Sequence, residues 1–502
     1  MTGAELRLGR YDLAVRGGTL VRPTGRVVAD LGIRDGRIAG IVAPGTPLDA
    51  AEEFDAKGHA ILPGVVDIHT HHRDPGFTAK GDITTETAAG AAGGVTTSLG
   101  MPNVSPPPNT PERLAAMLDL YARKSLVDYN VNASAAVPSE IPALAKQGIA
   151  AFKIFMVEDT GRDYPHMPGT GVHDHGKLLE IFEAVAETGL RLMVHPHDQA
   201  LMTRIEHEFW DRGERDARAY ARAYAAYDGL IWDSAAALLI RLHRATGAPL
   251  HLLHTQSRGV LRLLREAKAD GLAVTAELNP WALFLGNDWA NIERLGSYAL
   301  SYWVPAVNTE PLWEALNDGT IDLVSTDHAP HLREEKEPGW TDGWKAHTGT
   351  PAIQFYLSML LDAAHRGRIT LERVAEVTSS APARALGLGT KGRLEVGADA
   401  DLAIVDLDAE LEVRDEIVIS RIGWTPYAGQ TYRGLVTQTF VRGHLVYDRG
   451  SVVGEPGWGR QVTPTDPPAT PVPAAARHTA AGGARPAEAR AAALDSKELS
   501  VP

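Results

Sequence analysis

Several residues of types that do chemistry stand at matching places in this chain. They are His69 and His71 in GVVDIHTHH, Lys153 in AAFKIFM, His195 in RLMVH, His254 in LHLLH and Asp327 in IDLVSTD. Each lies in or just after a short apolar run of strand character. Residues two apart on a strand face the same way, so His69 and His71 can grip one metal ion together. The others arrive from different strands, and in a parallel barrel catalytic groups gather where strands end and loops begin. A lone histidine after an apolar run is ordinarily a hydrogen-bonded structural residue, and the chain has 19 histidines; the joint placement makes the case. His173-x-His175 sits in a Gly/Pro-rich loop with no strand before it and reads as a solvated or lid segment. His195-x-His197 does follow a strand, but Pro196 intervenes, and His197 is left outside the ligand set. Taken alone, Lys153 reads as a barrel lysine paired to a carboxylate.

The elements that must position these residues follow from the pattern. Between Ile61 and about Leu388, short apolar runs (GVVDIH, VTTSLGM, AAFKIFM, RLMVH, LHLLH, LAVTAE, IDLVSTD) alternate with helical stretches such as GKLLEIFEAVAETG and SRGVLRLLREAKADG. Repeated βα units of this length predict a parallel sheet, and about eight of them a (β/α)8 barrel, with a doubly wound sheet as the fallback. Residues 11 to 62 alternate apolar and polar positions around turn signals, with Asp35-Gly36 as a hairpin turn. The same texture returns in 392 to 408 and 434 to 450. We therefore expect a β-sandwich domain from 1–62 and 389–460 flanking a barrel domain from 63–388. The 461–502 tail is rich in Pro, Ala and Gly and is expected to be disordered or packed on a partner.

Composition narrows the partners. A formal charge of -14 with no long Lys/Arg cluster argues against nucleic acid and anionic membrane, leaving a small-molecule substrate. The 44% of apolar residues suffices for a large core. Without any cysteine, disulfides, thiolate nucleophiles and sulfur-type zinc sites are excluded, so a metal must sit on histidine and carboxylate. The N-terminus lacks an apolar core of signal-peptide length and no run approaches a membrane span. The expectation is a soluble, cytoplasmic protein.

The ordered combination DIHTHHRDPG, GGVTTSLGMPN, AAFKIFM, RLMVH, LHLLH and STDHAPHLREEK resembles the cyclic amidohydrolases of the amidohydrolase superfamily: dihydroorotases, allantoinases, hydantoinases and dihydropyrimidinases. The resemblance spans most of residues 11 to 450. It implies a (β/α)8 barrel with a flanking β-sandwich, a centre of two divalent metals, usually zinc, and homo-oligomers, dimer or tetramer. By position, His69, His71 and Asp327 would hold one metal and His195 and His254 the other. Lys153 would be carboxylated by carbon dioxide, its carbamate bridging both ions. A bridging hydroxide would attack the cyclic amide, with Asp327 moving the proton to the departing nitrogen.

The closest motifs are dihydroorotase-like. In that group the arginine of HxHxR, an asparagine in MPN and the last histidine of DHAPH contact a substrate carboxylate; these are Arg73, Asn103 and His331. Arginine suits a carboxylate through paired charged hydrogen bonds, while pairing with Asp74 or Asp82 is its structural alternative. Other segments depart from the pattern: Trp281 and Ala282 replace two histidines, Val304 and Asn308 stand where ring-binding segments are usually polar, and His195-Pro196-His197 replaces HAE or HCE. The alternatives are therefore a hydantoinase, allantoinase or cyclic-imide hydrolase, or a catalytically idle scaffold homologue.

Overall fold

The computed structural model describes residues 10–157, 169–299 and 303–465. Five strands open the chain: β1 (Tyr11–Arg22), β2 (Gly25–Arg34), β3 (Arg37–Val42), β4 (Ala50–Asp55) and β5 (Ala60–Pro63). The next eight are β6 (Val65–Thr70), β7 (Val95–Gly100), β8 (Asp128–Ser134), β9 (Ala151–Phe155), β10 (Arg191–His195), β11 (Leu250–Leu252), β12 (Val274–Leu278) and β13 (Leu323–Val324). The last four are β14 (Leu402–Glu412), β15 (Thr431–Val441), β16 (His444–Asp448) and β17 (Ser451–Val452).

Both chain ends build one nine-stranded sheet, in which β5 pairs antiparallel with β14 and so joins the beginning of the chain to its end. Asp35 and Gly36 take positive φ of 52° and 74°, the backbone a tight hairpin between β2 and β3 requires. The sheet folds across itself. Phe54 on β4 meets Phe440 on β15 with ring centroids 5.2 Å apart, and Val15, Leu31, Ile61, Leu402 and Ile404 fill the space between. The expected sandwich is thus one hydrogen-bonded sheet whose two halves face each other.

Strands β6 to β13 form an eight-stranded parallel sheet in sequence order. It closes where Thr70 bridges His328 and His71 N donates to His328 O at 2.8 Å, giving the expected (β/α)8 barrel. Closure leans on side chains, because β13 is only two residues long. The buried Asp67 carboxylate accepts from Ser325 Oγ (2.7 Å), Thr326 N (3.1 Å) and Thr326 Oγ1 (2.5 Å), tying the first strand to the last. Helices cover the outside. α1 (Ile83–Ala92) is capped by Asp82 and α2 (Pro111–Lys124) by Thr110, each accepting a backbone N–H of the first turn.

Strand β8 is absent from the apolar runs, and its sequence DYNVNAS explains why. All seven residues are buried, yet Asp128, Asn130, Asn132 and Ser134 are polar. Each side-chain NH2 finds an acceptor: Asn132 Nδ2 donates to Ile68 O at 2.9 Å and Asn130 Nδ2 to Gly148 O at 2.9 Å. Asp128 is buried against Lys391 and Arg442. Of the expected tail, Gln461 bridges Tyr129 and Asn130 donates to Val462 O, so the chain runs beside β8 there, and Thr465 N then donates to Gly387 O at 2.8 Å; 466–502 lie outside the described residues. Among the described residues no helix is long and apolar enough to cross a membrane.

Candidate metal centre

The alternation of barrel strands decides which side chains meet. On β9 and β10, Phe152, Ile154, Leu192 and Val194 pack outward with helix residues Leu178, Ile181 and Phe182. Lys153 and His195 take the opposite, inward face. On β6 the register with β7 shifts between Asp67 and Thr70, so simple alternation does not carry through; Val66 and Ile68 join Ala151 and Met193 in one cluster, and beyond them His69 and His71 both face Asp327. His254 and Asp327 follow β11 and β13 and hold positive φ of 54° and 48°. Non-glycine residues reach that region only at a conformational cost that the surroundings must sustain, a feature concentrated at functional sites.

These placements bring the sequence-derived residues together. His69 Nε2 lies 3.2 Å and His71 Nε2 3.0 Å from Asp327 Oδ1, and His254 Nδ1 is 3.7 Å from Asp327 Oδ2. The His254 ring centroid is 5.0 Å from that of His69 and 4.7 Å from that of His195. Lys153 is fully buried with its ammonium 4.2 Å from the centre of the Phe155 ring, and its Nζ has no hydrogen-bond acceptor. Burial lowers Lys153 to about 7, against the pull of Glu277 and Asp327.

Behind the histidines stands a layer of acceptors, of which Glu277 and Asn279 were not among the sequence-derived candidates. Glu277, fully buried on β12, accepts from His69 Nδ1 at 2.6 Å and faces His251 Nε2 at 3.4 Å. Asn279 Oδ1 accepts from His254 Nδ1 at 2.8 Å. Asn103 Oδ1 lies 2.5 Å from His71 Nδ1, which makes this residue a neighbour of the metal-type cluster as well as a substrate-side candidate. A carboxylate inside the apolar run LAVTAEL was the available signal, since a buried charge needs a partner.

The electrostatics follow from this layer. Burial depresses the His69 imidazole, but Glu277 and Asp327 outweigh it and hold it up at about 9. Burial lowers His71 to about 3 and His254 to about 4. Glu277 and Asp327 stay ionised despite burial because His69 faces both.

These facts fit a metal. A neutral His71 has one ring proton; donated to Asn103, it leaves a lone pair on Nε2 facing the Asp327 carboxylate. Two acceptors 3.0 Å apart call for a cation. His69, His71 and Asp327 offer ligand atoms within 4.8 Å of one another, as do His69, His254 and Glu277. In the second group the Glu277 oxygen is already taken by His69 Nδ1, so Glu277 orients a ligand rather than serving as one.

On the substrate side, Arg73 is buried at φ 65°, donating Nε–H to Pro330 O at 3.0 Å and Nη2–H to His331 Nε2 at 2.8 Å. Asp74 is paired with Lys124 and Asp82 with Arg421, so neither takes Arg73 as the alternative had it. His72 turns away, with Nδ1 2.6 Å from Tyr121 Oη and Nε2 3.0 Å from Ser98 Oγ. His173 and His175 are exposed. Buried His197 packs among the rings of His195, Tyr224 and Trp232. Trp281 is buried, and Asn308 gives its amide to Asp228 Oδ1 at 3.0 Å.

Residues 60–446 match the model of the Amidohydrolase family. This chain belongs to that family. A solved structure, the L-hydantoinase (dihydropyrimidinase) from Arthrobacter aurescens, superposes on the present amidohydrolase with a TM-score of 0.84 and 31% identity, covering 90% of this chain and all of that one. An allantoinase of Rubrobacter xylanophilus is 34% identical, over 91% of this chain and 98% of its own length. A dihydroorotase of Halobacterium salinarum is 34% identical, over 85% of this chain and 96% of its own.

Proposed function

We propose that this amidohydrolase hydrolyses a ring carbon–nitrogen bond of a cyclic amide or ureide that carries a carboxylate, in the manner of a dihydroorotase. The observation that carries the reading is the meeting of His69, His71, His254 and Asp327 in one cluster, with His195 4.7 Å from His254 and the charge of a buried Lys153, whose Nζ lacks an acceptor, felt by both. That donor set of imidazoles and carboxylate suits zinc. His69, His71 and Asp327 would hold one ion, His195 and His254 the second. Two such ions supply an acidified water and polarise the scissile carbonyl.

The chain's own residues do the rest. With its pKa lowered to about 7, Lys153 is present in part as free amine near neutrality. Addition of that nitrogen to carbon dioxide, with loss of its proton, gives an anionic carbamate with two ligand oxygens. Asp327, kept ionised, takes a proton from water as the oxygen attacks the ring carbonyl and hands it to the nitrogen as the C–N bond breaks. Arg73 binds the carboxylate beside the ring, with Asn103 and His331 next to it. Residues 63–388 house this chemistry, and 1–62 with 389–460 frame it. The homo-oligomeric state implied by the resemblance and the cytoplasmic location expected from the sequence belong to the same reading.

A second reading, a hydantoinase, allantoinase or cyclic-imide hydrolase, is favoured by Asn308, whose amide is engaged by Asp228, and by the aromatic wall of Tyr224 and Trp232 beside His197. An idle scaffold would need none of the six converging residues. Hydrolysis of dihydroorotate, allantoin, substituted hydantoins, dihydrouracil and succinimide, with metal counted after loading with zinc and bicarbonate, decides among them. Arg73→Ala is expected to raise KM for an anionic ring about tenfold to a hundredfold, as loss of a charged hydrogen-bond pair does. It should leave a neutral ring unaffected; equal losses on both refute the carboxylate.

A further inference from the structure

Behind Arg73 lies a second polar cluster, of which only His331 has a place in the proposed substrate site. Glu335 is its centre. One oxygen accepts from Lys80 Nζ at 2.7 Å and from His347 Nδ1 at 3.0 Å, and the other from Leu332 N at 2.9 Å and His331 Nδ1 at 3.3 Å. His331, Glu335 and His347 could as a trio hold a metal. Lys80 Nζ, within 2.7 to 3.4 Å of an atom of each, already supplies the cation there.

The hydrogen bonds run in one direction. Arg73 donates to His331 Nε2, so the single proton of a neutral His331 sits on Nδ1 and points to Glu335. Burial, the nearby Arg73 and other cations hold His331 well below the ordinary imidazole value, in keeping with that neutral ring. Glu335 therefore fixes the tautomer that lets His331 accept from Arg73, and Lys80 fixes Glu335. Lys80 and Arg73 both lie in the loop after β6, whereas His331 and Glu335 follow β13, so the pair clamps the loops that flank the barrel seam. Lys80, Arg73 and Lys336 are all buried, and Lys336 feels the charge of both of the others.

We infer that Lys80 and Glu335 are positioning residues for anion recognition, acting through His331 to hold the Arg73 guanidinium in its carboxylate-binding orientation. The inference rests on the proposed carboxylate-bearing substrate. Dihydroorotate and dihydrouracil differ by that carboxylate and serve as probes, assayed with the zinc-loaded full chain. Lys80→Met and Glu335→Gln, from opposite sides of the pair, are each expected to raise KM for dihydroorotate about tenfold while kcat and the dihydrouracil KM stay within about twofold. Lys80→Arg, which keeps the charge, should stay within about threefold of the parent protein. Melting temperature and metal content confirm that each variant is folded and loaded. Parallel losses on both rings, or no loss on either, overturn the inference. If the parent protein itself shows no preference for dihydroorotate, the carboxylate reading fails and the inference falls with it; a preserved preference in both variants defeats the inference alone.

Discussion

Glu277→Gln tests the layer of acceptors behind the metal-type cluster. The carboxylate accepts from His69 Nδ1 at 2.6 Å and from Asn279 Nδ2 at 3.1 Å, and faces His251 at 3.4 Å, with no exposure to water. An amide keeps the shape and one acceptor oxygen but loses the charge. A hydrogen bond to a charged group contributes about 1.5–3 kcal/mol and a neutral one about 1 kcal/mol, so the loss at His69 is about 0.5–2 kcal/mol. That corresponds to about a 2- to 30-fold weaker hold on metal, whose upper part overlaps the range of about 10- to 100-fold typical of lost outer partners of a ligating histidine. Competition with a zinc chelator measures this directly, and activity at saturating zinc should largely recover. Unchanged zinc affinity in a folded variant would falsify the assignment of Glu277 as the group that orients His69. It would then be a packing residue only.

Further outcomes follow from neighbouring residues. Lys153→Met removes the one amine in the centre; the variant should bind fewer ions per chain and show no bicarbonate-dependent gain in mass or activity, read by intact-mass and elemental analysis. In metal-free protein, His69 is raised from 6.5 to about 9, so its contribution to stability is complete below pH 6.5 and fades as pH rises through about 9. Melting temperature should fall across that window, and fall less in His69→Gln. Asp67→Ala strips partners from Ser325 and Thr326 at the barrel seam. A cost of about 2–4 kcal/mol, read by denaturant unfolding, is expected for buried groups left unpaired; a change below about 0.5 kcal/mol, the range of ordinary surface substitutions, would show that the seam does not depend on it.

The barrel was legible because parallel strands covered on both faces leave apolar runs in the sequence, and GVVDIH, AAFKIFM and RLMVH are such runs. β8 hid because its inward positions are asparagine and aspartate, whose partners Ile68, Gly148 and Lys391 lie far along the chain. The same reason explains the site. His69, His71 and Asp327 end recognisable runs, whereas Glu277 and Asn279 acquire meaning only once β12 stands beside β11 and across from β6. Lys80 and Glu335 are ordinary charged residues until barrel closure puts their loops in contact. Asn103 shows a further limit: its motif placed it near the site, but the 2.5 Å contact with His71 came from the fold.

The acceptor layer and the strained backbone belong to one device. Three of the inward histidines have their Nδ1 atoms beside an oxygen from another part of the barrel: His69 beside Glu277, His71 beside Asn103 and His254 beside Asn279. Donating there commits Nε2 to the interior, and for His69 and His71 that atom faces Asp327. Arg73, His254 and Asp327 hold positive φ at the strand ends, a conformation their own side chains disfavour. A free loop would relax out of it. The surrounding hydrogen bonds hold it in place, so the ligand atoms are aimed before any ion arrives. Histidines on mobile loops would have to be ordered on binding. This chain has done that ordering in folding.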